Sequence, residues 1–287
     1  MNKIGILYGY WSRDWEVDYT PYLQKVKELG FDTLEINTLY LMNMSDDAKQ
    51  RFREHADEVG VDVLAVIGVP LKYDVASPDG TVRKNGIAYI KHLIKICADM
   101  RIPCASGVLY AAWLAKLEDH GVSKSVCWKH SVASMKEICK VAEDLNVDLN
   151  LEVVNRYETY LINTCGEALA YLADVNSPNA YVHLDTYHMN IEEDSMTGAI
   201  MAAGNTLGHF HIGENNRKPP GTGEMPWQAI FNALKEIRYE RSIVMEPFVQ
   251  PGGTVGRDIS VYRDLMPGAD LDAEAKKSVE FVRSLLA

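Results

Sequence analysis

Short apolar runs alternate with longer amphipathic stretches along the whole chain. The run from Lys3 to Tyr8 reads as a first strand, and a helical pattern follows from about Tyr19 to Leu29, with Gly30 placed as a C-cap. Thr33 to Asn37 reads as a second strand. A helix then opens on the cap cluster Ser45-Asp46-Asp47 and ends near Gly60. A third strand is predicted over Asp62 to Ile67, and a loop containing Ser77-Pro78-Asp79-Gly80 precedes a helix from about Arg83 to Met100. The fourth strand runs from Pro103 to near Leu109. The second half repeats the theme, with helices at about Cys127–Leu145, Cys165–Ala173 and Ser195–Ala203 between strands at Asp148–Val153, Ala180–Asp185 and Gly208–Ile212. A loop with Pro219-Pro220-Gly221-Thr222-Gly223 leads to a helix opening at Pro226-Trp227, where proline suits the first helical position. Ser242 to Glu246 is the eighth strand, and a last helix covers about Asp272 to Leu286.

Strands that alternate with helices argue for a parallel sheet. Eight such units in 287 residues argue for a closed (β/α)8 TIM barrel, as a single domain over residues 1–287. The alternative is an open doubly wound sheet. No GxGxxG turn joins a strand to a helix, which weakens the dinucleotide-binding version of that alternative. Hydrophobic residues make up 47% of the chain and charged residues 24%, so a large core and a soluble surface are expected. The net charge of -11 repels phosphate backbones and anionic lipid, so neither nucleic acid nor membrane is an expected partner. Five cysteines without a CxxC pair suit reduced thiols in a cytoplasmic protein. The N-terminus reads directly into a strand rather than a secretory leader, and no apolar run is long enough to span a bilayer.

Four side chains occupy equivalent places in this pattern. Glu152, Asp185, His211 and Glu246 each end one of four consecutive predicted strands. In a barrel the C-terminal strand ends converge on the active-site face. Side chains alternate along a strand, so if these four point inward, Leu151, Leu184, Phe210 and Met245 point outward. All four are apolar, as burial under a helical layer requires. Asn150, His183 and His209 then share the inward phase, either as partners that orient the four or as polar core residues. The pattern does not separate those two readings. Three carboxylates and an imidazole held together repel one another unless a cation sits among them. A donor set rich in oxygen with one histidine suits manganese, cobalt or magnesium. Any one acid at a strand end is more often a loop hydrogen-bond acceptor; four in phase on consecutive strands are harder to assign that way.

Leu151-Glu152-Val153-Val154-Asn155-Arg156-Tyr157-Glu158 resembles the fifth-strand motif of the D-tagatose 3-epimerase / D-allulose (D-psicose) 3-epimerase family. Leu184-Asp185-Thr186-Tyr187-His188-Met189-Asn190, Gly208-His209-Phe210-His211-Ile212-Gly213-Glu214-Asn215-Asn216-Arg217 and Val244-Met245-Glu246-Pro247-Phe248 resemble three further motifs of it, and the likeness spans the chain. The resemblance implies a xylose-isomerase-like barrel that epimerises ketoses at carbon 3, as a homodimer or homotetramer. It implies one divalent metal per subunit, manganese before cobalt or magnesium, held by Glu152, Asp185, His211 and Glu246. Glu152 and Glu246 are implied to be the two acid/base groups as well. Glu158, His188 and Arg217 are implied to bind the sugar near its reacting end, with Trp15, Gly107, Trp113, Phe248 and Leu7 around it. Read from position alone, Arg217 is a surface arginine in a glycine-rich loop and His188 a polar loop histidine; the motif match reverses that preference. Leu7 stands where many members carry an aromatic residue, and Tyr157 and Tyr187 stand where phenylalanine is common. These departures bear on which ketose is preferred. Val66, Val108 and Leu39 are either pocket wall or ordinary core, and Trp113 fits a sugar cover or plain packing equally.

The implied chemistry is coherent. The hydrogen on carbon 3 of a ketohexose is α to the carbonyl at carbon 2. A metal on the oxygens of carbons 2 and 3 acts as a Lewis acid and stabilises a cis-enediolate. Inversion by direct transfer needs one base on each face, whereas aldose–ketose isomerisation needs a single face. The competing reactions for such a barrel are sugar aldose–ketose isomerisation and dehydration of an inosose. A DNA-repair endonuclease of the same barrel type would need more histidine ligands and a basic surface, which the charge of -11 does not supply. A non-catalytic sugar-binding protein would not need two bases.

Overall fold

The computed structural model describes residues 2–287. Among the described residues, eight parallel strands close into a barrel in chain order: β1 (Ile4–Leu7), β2 (Thr33–Asn37), β3 (Asp62–Gly68), β4 (Cys104–Val108), β5 (Asp148–Glu152), β6 (Ala180–Asp185), β7 (Leu207–Ile212) and β8 (Ile243–Met245). The intervening helices are α1 (Thr20–Leu29), α2 (Thr38–Asn43), α3 (Asp46–Val59), α4 (Gly80–Asp99), α5 (Lys124–Leu145), α6 (Cys165–Val175), α7 (Thr186–Glu192), α8 (Met196–Ala203), α9 (Trp227–Glu236), α10 (Gly253–Asp258) and α11 (Leu271–Leu286).

Local chemistry explains most boundaries. Ser45 Oγ accepts from the Ala48 N–H at 3.3 Å to start α3, and Gly60, at φ +71°, closes it in the left-handed region. The Pro78-Asp79-Gly80 segment is not a turn ahead of its helix. Asp79 accepts from the Thr81 N–H at 2.7 Å and caps α4, which therefore starts three residues before the expected Arg83. α5 likewise starts at Lys124 rather than Cys127, after an extended Ser123. The short helices α2, α7 and α10 were not expected. Each is six or seven residues long, too short to register a 3.6-residue apolar period. In α2 and α7 the last strand residue is itself the N-cap: Asn37 accepts from the Leu39 N–H at 2.9 Å, and Asp185 from the Tyr187 N–H at 2.8 Å.

The chain divides into two compact units, Met1–Ala65 with Phe210–Ala287, and Val66–His209. In the first, β1 lies between β2 and β8, with Leu7 opposite Glu35 and Ile6 opposite Met245, and β8 pairs onward with β7, His211 opposite Val244. Its core joins Ile4, Ile6, Leu34 and Ile36 of the strands to Leu23, Val26, Ile230, Phe231 and Val282 of the helices, each buried side chain contributing about 1.5–3 kcal/mol. The loop after β1 is tied to the segment after β8. The Trp15 N–H donates to Thr254 Oγ1 at 3.0 Å, its indole N–H to Asp258 Oδ2 at 3.0 Å, and the Val255 N–H to the Arg13 carbonyl at 2.9 Å.

In the second unit β5 lies between β4 and β6, with Ser106 opposite Asn150 and Glu152 opposite His183. α4 and α5 pack together, and Ile90, Leu93 and Ile94 of the first and Met135 and Ile138 of the second are buried. Gly107 in β4 sits at φ +111°, and a β-carbon there would run into the carbonyl oxygen of Ile67. Only glycine permits that approach of two backbones. The loop after β4 is braced at both ends. The Trp113 N–H donates to the Val69 carbonyl at 2.9 Å, the Leu114 N–H to the Glu158 carbonyl at 2.7 Å, and the Tyr110 hydroxyl to the Glu152 carbonyl at 2.8 Å. Leu151, Leu184, Phe210 and Met245, expected to face the helices, are all buried. The five cysteines are buried, with no disulfide among the described residues. No helix among the described residues is long and apolar enough to cross a membrane.

Candidate metal centre and active site

His211 is fully buried near the end of β7. Its Nε2 lies 2.7 Å from Glu35 Oε2, and its Nδ1 lies 3.5 Å from Glu246 Oε1. A carboxylate on Nε2 keeps a proton on that nitrogen and directs Nδ1 toward Glu246. Burial alone disfavours a charged imidazole, yet the carboxylates of Glu35 and Glu246 outweigh it and hold the His211 pKa well above the histidine range. Glu35 was not among the expected functional residues. A glutamate between Leu34 and Ile36 in a wholly buried strand was its only signal.

Glu246 extends β8, its N–H donating to the Ile212 carbonyl at 3.0 Å. Its two oxygens are differently engaged. Oε1 faces His211, and Oε2 accepts from Arg217 Nη1 at 2.8 Å. Arg217 is therefore not a surface arginine but 5% exposed, with its guanidinium 5.3 Å from the Phe248 ring. It adopts φ +63°, an uncommon conformation for a long side chain. Its backbone is held on both sides, by the Glu214 carbonyl at 2.9 Å and the Phe248 N–H at 2.9 Å. Glu214, also unforeseen, organises the loop by accepting from the Gly221 N–H at 2.7 Å and the Trp227 indole at 2.8 Å. Trp15 meets Phe248 edge-on at 5.8 Å, and Leu7 is buried at the end of β1.

In the other unit, Glu152 ends β5 and Asp185 ends β6. Asp185 Oδ1 caps α7 through the Tyr187 N–H, and Oδ2 lies 3.7 Å from His188 Nε2. Glu152 Oε1 lies 3.8 Å from the same nitrogen. His188 is buried on α7, with Tyr187 edge-on at 5.1 Å. Its Nδ1 receives the Asn155 N–H at 3.2 Å and the Asn155 side-chain amide at 2.8 Å. That amide also donates to Glu158 Oε1 at 3.1 Å, and Glu158 Oε2 accepts the Trp113 indole N–H at 2.9 Å. Trp113 thus has a polar partner at the site rather than plain packing alone. Asn155 lies within the fifth-strand motif, where nothing in its position marks a role. Tyr157 stands 68% exposed, so the departure from phenylalanine there falls on the surface. Val66 and Val108 are buried, and Leu39 is half-buried. Asn150 donates to Ser106 Oγ at 3.0 Å, and His183 and His209 pack edge-to-face at 4.6 Å.

Glu152, Asp185, His211 and Glu246 are all buried, and each offers one ligand atom within 4.8 Å of the others. Three carboxylate oxygens and one imidazole nitrogen at that spacing fit a divalent cation of the oxygen-preferring class. His183, His209 and His211 form a second group within the same limit, sharing His211.

The chain matches the xylose isomerase-like TIM barrel family over residues 23–285. It is 44% identical to the D-psicose 3-epimerase of Ruminiclostridium cellulolyticum, covering 99% of this chain and 98% of that one. It is 40% identical to the D-psicose 3-epimerase of Agrobacterium fabrum, covering 99% of each. The solved structure of D-psicose 3-epimerase with D-tagatose from Clostridium cellulolyticum superimposes with a TM-score of 0.96, covering 99% of both chains. On its sequence, its barrel and its relatives alike, the chain belongs to the D-psicose 3-epimerase family of xylose isomerase-like TIM barrels, and is an enzyme of the isomerase class.

Proposed function

We propose that this enzyme is a metal-dependent ketose 3-epimerase that interconverts free ketohexoses at carbon 3, D-fructose with D-allulose and D-tagatose with D-sorbose. The observation that carries the reading is the presence of two glutamates, from β5 and β8, in one buried four-ligand group. Inversion by direct proton transfer needs one base on each face of the sugar, and two glutamates from different strands can supply them. Kinship with enzymes named for D-psicose supports the substrate class.

Glu152, Asp185, His211 and Glu246 would hold one divalent cation, manganese first and cobalt or magnesium as alternatives. Bound there, the ion supplies Lewis acidity to the carbonyl and hydroxyl oxygens at carbons 2 and 3. Glu152 and Glu246 transfer the carbon-3 proton, one on each face of the sugar. Arg217, by holding Oε2 of Glu246, fixes the direction of that carboxylate. His188 and Glu158 bind the sugar near its reacting end, and Leu7, Trp15, Gly107, Trp113 and Phe248 shape the wall. The same reading makes residues 1–287 one barrel domain working in the cytoplasm as a homodimer or homotetramer, with a small ketose and neither nucleic acid nor membrane as its partner.

Incubation of D-fructose with the enzyme and manganese should yield D-allulose. An aldose or a dehydrated product would overturn the reading in favour of an isomerase or a lyase. Glu152→Gln should retain sugar binding and lose turnover, and undiminished turnover would remove Glu152 as a base.

A further inference from the structure

We infer that Asn155 is a positioning residue that locks His188 in one neutral tautomer, with the proton on Nε2, so that His188 serves the reaction as a hydrogen-bond donor and not as a third base. The inference rests on the epimerase reading for its chemical meaning, but its geometry stands alone.

The assignment closes without a free choice. Asn155 Oδ1 is identified because it accepts the Tyr157 N–H at 2.9 Å. The other end of the amide must then be the NH2 group, and its two hydrogens go to Glu158 Oε1 at 3.1 Å and His188 Nδ1 at 2.8 Å. Turning the amide over would set an oxygen against the Glu158 carboxylate and an NH2 against a backbone N–H. The backbone N–H of Asn155 points at the same imidazole nitrogen from 3.2 Å. Two donors converge on Nδ1, so Nδ1 is an acceptor and carries no proton. In the neutral ring the proton therefore sits on Nε2.

Nε2 is the nitrogen facing the metal-ligand side, 3.8 Å from Glu152 Oε1 and 3.7 Å from Asp185 Oδ2. His188 thus presents an N–H, and no lone pair, toward the place where the sugar oxygens are expected. It can hold an oxygen that gains negative charge as carbon 3 loses its proton. It cannot itself accept the carbon-3 proton, which leaves that work to Glu152 and Glu246. Trp113 completes the assembly at its outer end by fixing Glu158, the other acceptor of the Asn155 amide.

The test is long-range proton–nitrogen correlation NMR of 15N-histidine-labelled, magnesium-loaded enzyme, with the His188 signals assigned from His188→Gln. The expected spectrum at neutral pH has an unprotonated Nδ1 and a protonated Nε2. A protonated Nδ1 in the wild-type enzyme overturns the inference, whatever any variant does. Asn155→Asp places an acceptor against Nδ1 and should move a proton onto it, with kcat for D-fructose falling about 100-fold as the oriented donor is lost. Asn155→Ala removes the 2.8 Å side-chain donor and leaves only the 3.2 Å backbone N–H on Nδ1, so a second, Nδ1-protonated form of His188 should appear; a wild-type histidine spectrum in this variant overturns the inference. An Asn155→Asp enzyme with wild-type spectrum and wild-type kcat also overturns the inference. Failure of the epimerase reading looks different: no D-allulose forms although His188 shows the Nε2–H spectrum.

Discussion

Replacing Glu35 by glutamine should weaken manganese binding without unfolding the barrel. Glu35 is not among the four residues of the proposed ion site; it acts on one of them through the 2.7 Å contact to His211 Nε2. Both side chains are fully buried, so water does not screen the pair. The carboxylate holds the ring orientation and raises the electron density available at Nδ1. A glutamine oxygen still accepts from Nε2–H, which keeps the tautomer but removes the charge. Loss of such an orienting carboxylate typically costs 10–100-fold in metal affinity, equivalent to about 1.4–2.8 kcal/mol. Glu35→Leu removes the acceptor as well and leaves a buried N–H unsatisfied, adding about 1–3 kcal/mol of folding cost. The two variants therefore separate affinity from stability. Titration calorimetry with manganese on chelator-treated protein gives the first, and thermal unfolding in the presence of chelator gives the second. If Glu35→Gln binds manganese as tightly as the wild type, the bracing of His211 by Glu35 is wrong.

Manganese binding should also release a proton and strengthen as pH rises. Glu35 and Glu246 keep His211 protonated above the histidine range when no cation is present, and the ion requires the neutral ring. The stabilisation from that charged ring is complete below the unfolded histidine pKa and is lost as pH rises through the raised folded value. Calorimetry at pH 7 in two buffers of different ionisation heat checks the release of about one proton per ion. Arg217→Lys keeps a cation beside Glu246 but loses the planar fork, and kcat/KM for D-fructose should fall about 10-fold or more in steady-state assays. Gly107→Ala forces a methyl group against the Ile67 carbonyl in a left-handed conformation, and unfolding experiments should show a loss of at least about 2 kcal/mol.

The barrel and the four residues of the candidate metal group were legible because two independent periodicities agree. The strand–helix alternation sets the fold, and the period of two along each strand puts Glu152, Asp185, His211 and Glu246 in one phase with apolar neighbours in the other. Where only one of these signals operates, the reading fails. Glu35 stands mid-strand on β2, and its partner lies 176 residues away, so nothing local announces the pair. Asn155 acts through hydrogen bonds that depend on the shape of the turn after β5, which no spacing rule encodes. Glu214 organises its loop through backbone donors whose positions exist only once the chain has folded. The short helices α2 and α7 hide for the opposite reason. Their caps, Asn37 and Asp185, already count as strand residues, so a residue with two structural roles is read for the first alone.

The central claim is that two glutamates transfer the carbon-3 proton on opposite faces of a ketohexose. Its most direct test is turnover of D-fructose in deuterium oxide with manganese, followed by proton NMR of both sugars. Deuterium entering carbon 3 of D-allulose in step with inversion, and its loss in both Glu152→Gln and Glu246→Gln, is the predicted result. Formation of an aldose with deuterium at its carbon 2, or inversion at carbon 3 with no exchange, would contradict the account.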